Sequence, residues 1–148
     1  MVITKIAGRG APRAQKISVV DVEWFECAKK RLCKTASDGE EVGISVEAPL
    51  QEGDILYDDG ERALVVRVLP CRLIRTPVRS MREMGRLCFE LGNRHLPVQI
   101  GEGQVSTPYD EPTFLYLKKL GFPAQEVTAA FTQYTECSAH SHGHAHGH

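Results

Sequence analysis

The sequence predicts an α+β protein with an all-β domain first, a mixed domain of strands and two helices second, and a disordered His-rich tail. Three observations carry this prediction. The first half has short β-rich runs without a helix of normal length, the second half has two capped apolar helices between strands, and histidines recur at every second position of the C-terminus. The predicted boundaries are residues 1–75, 76–136 and 137–148.

Short strands separated by turn residues make up the predicted N-terminal domain. An Asp-Gly pair at residues 59–60 lies between two apolar runs, which is a strong signal for a hairpin. No stretch of this half keeps helical spacing over a normal helix length, so we expect it to be all-β. The predicted strands are residues 2–7, 20–25, 31–35, 42–46, 55–57 and 62–68.

The boundary between the domains is expected near residues 69–78. The second half of the chain has a leading strand at residues 71–75 and a helix that begins after Ser80. Ser80 and Glu83 have the spacing of a capping box, in which each side chain accepts a backbone N–H of the other residue. Gly92 is predicted to end the helix. Apolar residues follow the cap at helical spacing, so we expect a core-facing stripe that includes Met81, Met84, Leu87, Cys88 and Leu91.

A second helix and three further strands complete this domain. Asp110 and Pro112 mark the start of the helix and Gly121 its end. The remaining strands are predicted at residues 96–100, 104–107 and 127–134. The resulting order, β-α-β-β-α-β, is that of the ferredoxin-like fold.

Composition excludes several classes of function. The chain has 148 residues, 42% hydrophobic and 25% charged, with a formal net charge of -1, as in a globular protein without a preference for nucleic acid or an anionic membrane. No apolar run is long enough for a membrane span and no secretory h-region is present, so we expect a cytoplasmic protein. The five cysteines are odd in number and lack a Cys-x-x-Cys pair, which disfavours a disulfide scaffold or a closed zinc site.

The C-terminal tail is predicted to bind a metal ion. Imidazole is the commonest transition-metal ligand in proteins and suits nickel, copper and zinc. A purification tag would be an unbroken run, whereas Ser, Gly and Ala interrupt these histidines. The segment lacks apolar residues that could order it, so we expect it to be disordered until a metal ion binds. Cys137 is a candidate auxiliary ligand beside the five tail histidines, His140, His142, His144, His146 and His148.

The sixth histidine lies between the first helix and the next strand, in residues 92–97, which read GNRHLP. Gly92 and Asn93 can both adopt the left-handed conformation that ends a helix, so His95 is predicted at a sharp turn. A lone histidine is often a capped or core residue. As one imidazole cannot hold a metal ion firmly, a metal role requires a homodimer whose two-fold axis brings both copies of His95 together.

At these residues the chain resembles the UreE family of urease accessory proteins, which are nickel metallochaperones. The resemblance rests on GNRHLP after the helix at residues 81–91, on the His-rich C-terminus, and on residues 22–25 and 53–57 of the first domain. It implies an N-terminal domain similar to a chaperone peptide-binding domain and a ferredoxin-like domain that binds metal and dimerises. It also implies that His95 is the interfacial ligand and that His140 to His148 form a variable metal-loading segment.

The chain departs from the family pattern in one place. Some members carry an extra histidine pair in the strand region before the second helix, whereas residues 104–110 contain no histidine. Any additional coordination is therefore expected from the tail.

The function implied by the resemblance is delivery of Ni(II) to apo-urease by a homodimer that works with the urease accessory GTPase. Zn(II) and Cu(II) are also expected to bind in vitro. A nickel or zinc buffer without a specific recipient and a peptide-binding scaffold remain alternatives. An enzyme is not expected, because no His-Glu-x-x-His motif or nucleophile elbow is present. Glu90 is interpreted as a solvated helix carboxylate, and Tyr109 and Asp110 as turn and cap.

Overall fold

The computed structural model describes residues 1–137 and divides the chain into two compact units, Met1–Leu69 and Pro70–His148. The α+β class is confirmed, since the first unit contains strands and the second contains strands and two α-helices. The division falls at residue 69 rather than at the predicted 75, because the intervening strand hydrogen-bonds to strands of the second unit. The predicted disorder of the tail concerns residues that lie, apart from Cys137, outside the described part.

Two three-stranded sheets form the first unit. One has the order β1-β4-β3 and the other the order β2-β6-β5, with parallel pairing of β1 to β4 and of β2 to β6. The strands are β1 (Val2–Ile3), β2 (Lys16–Val22), β3 (Arg31–Thr35), β4 (Glu41–Ser45), β5 (Ile55–Asp58) and β6 (Arg62–Val68).

The two sheets share one hydrophobic core. Successive strand residues point to opposite faces, so β6 buries Leu64, Val66 and Val68 on the side that meets the other sheet. This core is separate from that of the second unit. Its other members include Val20, Val22, Val42 and Ile44.

The first predicted strand is shorter than expected, and the second begins and ends earlier than the predicted 20–25. The first pairs only over Val2–Ile3, and the second ends at Val22 before a single 3-10 turn at Trp24–Glu26. The prediction of a strand through Phe25 is therefore wrong. The cause is local, because the Glu26 carboxylate accepts the backbone N–H of Glu23 at 2.9 Å and so folds the chain back on itself.

The second unit is a four-stranded antiparallel sheet with two helices. Its strand order is β10-β7-β9-β8. The last strand is shorter than the predicted 127–134, because pairing with β7 stops at Ala129. The elements are β7 (Cys71–Pro77), α1 (Met81–Asn93), β8 (Gln99–Gly101), β9 (Gln104–Pro108), α2 (Glu111–Lys119) and β10 (Gln125–Ala129).

Both helices begin at capping side chains. Ser80 accepts the backbone N–H of Glu83 at 3.1 Å, as predicted, but the Glu83 carboxylate accepts the N–H of Arg79 at 2.8 Å rather than that of Ser80. The second hydrogen bond of the predicted capping box therefore comes from the N–H of Arg79, one residue before the cap. At α2, Asp110 accepts the N–H of Thr113 at 3.2 Å, which confirms its role as cap.

One face of α1 packs against the sheet. Leu87 and Leu91 are buried in a core that includes strand residues of β7 and β9 and residues of α2. Cys88 is partly buried in the same core, and this burial raises the pKa of its thiol, so the prediction of a core cysteine is confirmed. Met81, however, is 90% exposed, so the predicted apolar stripe does not extend to the first turn. In the described part of the chain, no helix is long and apolar enough to cross a membrane.

Candidate metal centre

His95 lies immediately beyond α1, in the turn that ends the helix. The N–H of His95 donates to the carbonyl of Gly92 at 2.9 Å, and the N–H of Leu96 donates to the carbonyl of Leu91 at 3.2 Å. These two bonds are those of a Schellman motif with Arg94 at the C-cap and His95 one residue after it. Leu96 packs into the core of the unit, so the turn is fixed on its inner side.

The backbone of His95 is in the left-handed region, with φ of 59°. Glycine usually occupies this position of a Schellman motif because it has no Cβ to clash with the backbone. The prediction that Gly92 and Asn93 form the left-handed turn is wrong, since both belong to the helix. A side chain at a site suited to glycine costs about 1 kcal/mol or more, and such strain is often found at functional sites.

A network of polar side chains holds the helix end against α2. The Arg94 Nε donates to the Thr113 hydroxyl at 3.1 Å, and its guanidinium lies 5.2 Å from the centre of the Tyr116 ring. Tyr116 in turn donates its hydroxyl to Glu90 at 2.8 Å, and this bond raises the pKa of Tyr116. Glu90 is therefore a half-buried acceptor that joins the two helices, and its interpretation as a solvated carboxylate is wrong.

The side chain of His95 is exposed at this turn. Within residues 1–137 no group of three or more His, Cys, Asp or Glu residues is arranged to hold a metal ion. The described part of one chain thus does not contain a complete coordination sphere. A metal site at His95 needs ligands from the tail or from a second chain.

The segment that precedes the tail pairs with Val98, which is three positions after His95 in the sequence. Val98 and Thr135 exchange backbone hydrogen bonds, with N–H to O distances of 2.9 and 2.7 Å. The Gln99 amide also donates to the Thr132 carbonyl at 2.9 Å. No local pattern indicates this pairing, because it is an isolated bridge outside the strands. Cys137 is half-buried, whereas His140, His142, His144, His146 and His148 lie outside the described residues.

An exposed apolar stripe runs along the outer side of α1 towards His95. Met81 is 90% exposed and Phe89 is 70% exposed, and they lie two helical turns apart on the same side. Gly85 lies between them, with no other atom within 4 Å of the position a Cβ would take. Large exposed apolar side chains that share one face of a helix are typical of a surface that another protein covers.

Comparison with known proteins gives the family. Residues 3–69 match the model of the UreE urease accessory protein N-terminal domain, and residues 69–148 match that of the C-terminal domain. The chain belongs to the UreE family. The two matches meet where the structure divides the chain into its two units. Urease accessory proteins of this family are not enzymes, which agrees with the expectation from the sequence.

Individual UreE relatives match most of the chain. The urease accessory protein UreE of Bifidobacterium longum subsp. infantis is 43% identical over 122 residues, which are 82% of this chain and 55% of that protein. The chain thus spans just over half the length of that relative. UreE of Acetivibrio thermocellus is 40% identical over 135 residues, which are 90% of this chain and 88% of that protein. UreE of Helicobacter acinonychis is 33% identical over 130 residues.

Proposed function

We propose that the chain is a nickel metallochaperone that binds Ni(II) and delivers it to apo-urease. The observation that carries this proposal is the exposed His95 in a left-handed turn that favours glycine. A ligand held on the surface at an energetic cost is explained by a binding role better than by packing. Membership of a urease accessory family supports urease as the recipient.

A homodimer would supply the second imidazole. In a two-fold interface the same surface patch faces itself, so residues near the axis meet their own copies. The stripe of Met81, Gly85 and Phe89 lies on the helix that ends at His95. If this stripe forms the interface, both copies of His95 lie close to the axis and can share one nickel ion. The strand order β10-β7-β9-β8 supports a ferredoxin-like fold for this dimerising unit.

The tail histidines would complete the coordination of the nickel ion. His140 lies five positions after Thr135, which pairs with Val98, and such a segment spans at most about 17 Å. His140 and the histidines after it therefore lie within reach of a site near His95. Their imidazoles can leave the metal one at a time, which lowers the barrier to transfer. Cys137 lies between the anchor and the tail and is a candidate soft ligand.

Nickel is proposed from the family, because an imidazole site alone does not select it. By the Irving–Williams order Cu(II) binds such a site more tightly than Ni(II), and Zn(II) also binds. Selection of nickel over other metals would instead come from the cellular setting. The chain would act in the cytoplasm and dock to the complex of urease GTPase and apoprotein.

The test is calorimetry with Ni(II) on the intact chain, on a chain ending at Ser138, and on His95→Asn, with sedimentation to record the oligomeric state. Asparagine tolerates the left-handed backbone, so this variant removes the imidazole while it keeps the turn. We expect the His95→Asn chain to remain dimeric and to lose its tightest site. Truncation should reduce the number of ions bound. Unchanged tight binding by His95→Asn would remove His95 from the site.

A metal buffer is the second candidate, and the five histidines at positions 140–148 favour it. A buffer stores metal in proportion to the number of its ligands and does not need a central site. It therefore predicts that truncation after Ser138 removes most function and that His95→Asn has little effect. Delivery predicts the reverse order.

A further inference from the structure

A groove opens between the two helices at the end of the second unit opposite to His95. Its volume is about 480 Å³, and it lies between the start of α1 and the segment that follows α2. Pro77, Leu120, Phe122 and Pro123 supply apolar lining, while Arg79 and Arg86 supply positive charge. We call this the α1–α2 groove. Glu83 and Arg86 line the groove and lie twelve and nine positions before His95, so at a rise of about 1.5 Å per residue the groove lies about 14–18 Å from the His95 turn.

Two arginines line the groove, and three further cations lie on the same two helices, all without an acidic partner in the described residues. Within the described residues none of them forms a salt bridge, in contrast to Arg72, which pairs with Glu126 at 2.9 Å. All five are exposed. They are Arg79 just before α1, Arg82 and Arg86 in the first half of α1, and Lys118 and Lys119 in the last turn of α2.

Nearby groups strengthen the positive character of this surface. The N-terminus of α1 adds the partial positive charge of its helix dipole. The one carboxylate that lines the groove, that of Glu83, already accepts the backbone N–H of Arg79 at 2.8 Å. The Arg86 guanidinium lies 5.3 Å from the centre of the Phe122 ring, so charge and apolar surface meet at the same point.

We propose that the α1–α2 groove docks an acidic segment of a partner protein. An apolar side chain of that segment enters between Leu120 and Phe122, and its carboxylates pair with the surrounding arginines and lysines. Exposed cations that form no salt bridge within the described residues are available for pairing across an interface, where charge complementarity guides the encounter. Docking here leaves the His95 turn accessible, so the partner and a metal ion can bind at the same time. The proposal does not depend on the identity of the metal.

The experiment measures binding of a fluorescein-labelled peptide in which glutamates flank one leucine, by anisotropy with the full-length chain. The control peptide carries glutamine in place of each glutamate. We expect the acidic peptide alone to bind, and its affinity to fall as salt is raised. The double variant Arg82→Glu/Arg86→Glu should weaken binding at least about tenfold. The matched variant Lys16→Glu/Arg31→Glu, which reverses two exposed cations of the first unit, should bind as the unaltered chain does.

Three results would overturn the proposal. The first is equal affinity of the two double variants, or no binding by the acidic peptide at millimolar concentration. The second is binding of tripolyphosphate to the groove that the acidic peptide does not compete with. Amide shifts of the groove residues in NMR spectra would report this binding, and the result would identify a site for small polyanions. The third is a change of oligomeric state on charge reversal at Arg82 and Arg86, which would identify an interface between copies of this chain. Thermal unfolding of each variant verifies that it is folded.

Discussion

The two units of this chain differ in how many of their charged side chains form ion pairs, since six of the seven pairs in the described residues lie in the first unit. In the first unit, charged residues pair within the unit, as Arg67 does with Asp21 and Lys34 with Glu26. The second unit leaves apolar side chains exposed on α1, leaves the cations around the α1–α2 groove unpaired, and holds His95 in a strained turn. Departures from local rules tend to accumulate where a protein binds something. This difference is the reason why we propose metal and partner binding for the second unit.

The largest effect on stability is expected when a core side chain of either unit is truncated. The accompanying effect on nickel binding should differ between the two units. Leu64 and Leu91 are both almost completely buried, so Leu64→Ala and Leu91→Ala should each cost about 2–5 kcal/mol of folding free energy. Leu91→Ala should also weaken nickel binding, because Leu91 supports the turn that carries His95. Denaturant unfolding and nickel calorimetry measure the two effects. Equal loss of nickel binding in both variants would contradict the separation of the units.

The next effect concerns the exposed apolar stripe on α1. In the proposed dimer, Phe89→Asp should raise the dissociation constant by a factor corresponding to about 2 kcal/mol or more, since a charge replaces an aromatic side chain that the interface would bury. Phe25→Asp is the matched control, because Phe25 is 55% exposed in the first unit. Sedimentation equilibrium measures both. A dimer unaffected by Phe89→Asp would place the interface on another surface.

A smaller effect of opposite sign is expected at the turn itself. His95→Gly should raise the free energy of unfolding by about 0.5–1 kcal/mol, because glycine adopts the left-handed backbone without strain. Asn93→Gly should lower it by about 0.3 kcal/mol, since Asn93 is helical. Thermal unfolding of the two variants without metal tests this contrast. Destabilisation by His95→Gly would show that His95 contributes to packing.

The smallest effect is a difference in response to acid. Hydrogen bonds from Arg67 to Asp21 and from Lys34 to Glu26 lower the pKa values of both carboxyl groups. Backbone N–H groups similarly lower those of three aspartates, Asp38, Asp58 and Asp59. In the second unit, the hydrogen bond from Arg72 lowers the pKa of Glu126. Most of the carboxyl groups with lowered pKa in the described residues thus belong to the first unit.

The direction of the acid effect follows from these shifts. A carboxyl group whose pKa is lower in the folded state stabilises the protein above its unfolded pKa, here 3.8 for Asp and 4.5 for Glu. That stabilisation is lost as pH falls through the folded pKa. The first unit should therefore unfold at a higher pH than the second. Trp24, the single tryptophan, reports on the first unit by fluorescence, and helical circular dichroism reports on the second. Earlier loss of the helical signal would contradict this order.

Elements set by local signals were predictable from the sequence. The strands Arg31–Thr35 and Arg62–Val68 have the predicted bounds, and Asp110 caps α2 as predicted. In each case neighbouring residues determine the structure through alternation or a cap. The region of Trp24 shows where local propensity fails as a predictor. The hydrogen bond between Glu23 and Glu26 ends a strand that propensity alone would continue.

The candidate site was predictable in its residue but not in its geometry. The histidine at position 95 was identified from GNRHLP, yet glycine propensity placed the left-handed residue at Gly92 or Asn93. The two Schellman hydrogen bonds and the burial of Leu96 instead place that conformation at His95. The anchoring of Thr135 beside Val98 joins residues 37 positions apart and depends on tertiary packing, so no local pattern indicated it.

The central claim, that His95 is the fixed part of the site and the tail its adjustable part, is tested most directly by activating urease apoprotein in vitro. The assay compares nickel transfer from the intact chain, from a chain ending at Ser138 and from His95→Gly. Because the turn tolerates glycine, the last variant stays folded. We expect truncation to reduce the amount of nickel transferred and His95→Gly to abolish activation. Full activation by His95→Gly together with none by the truncated chain would contradict the account.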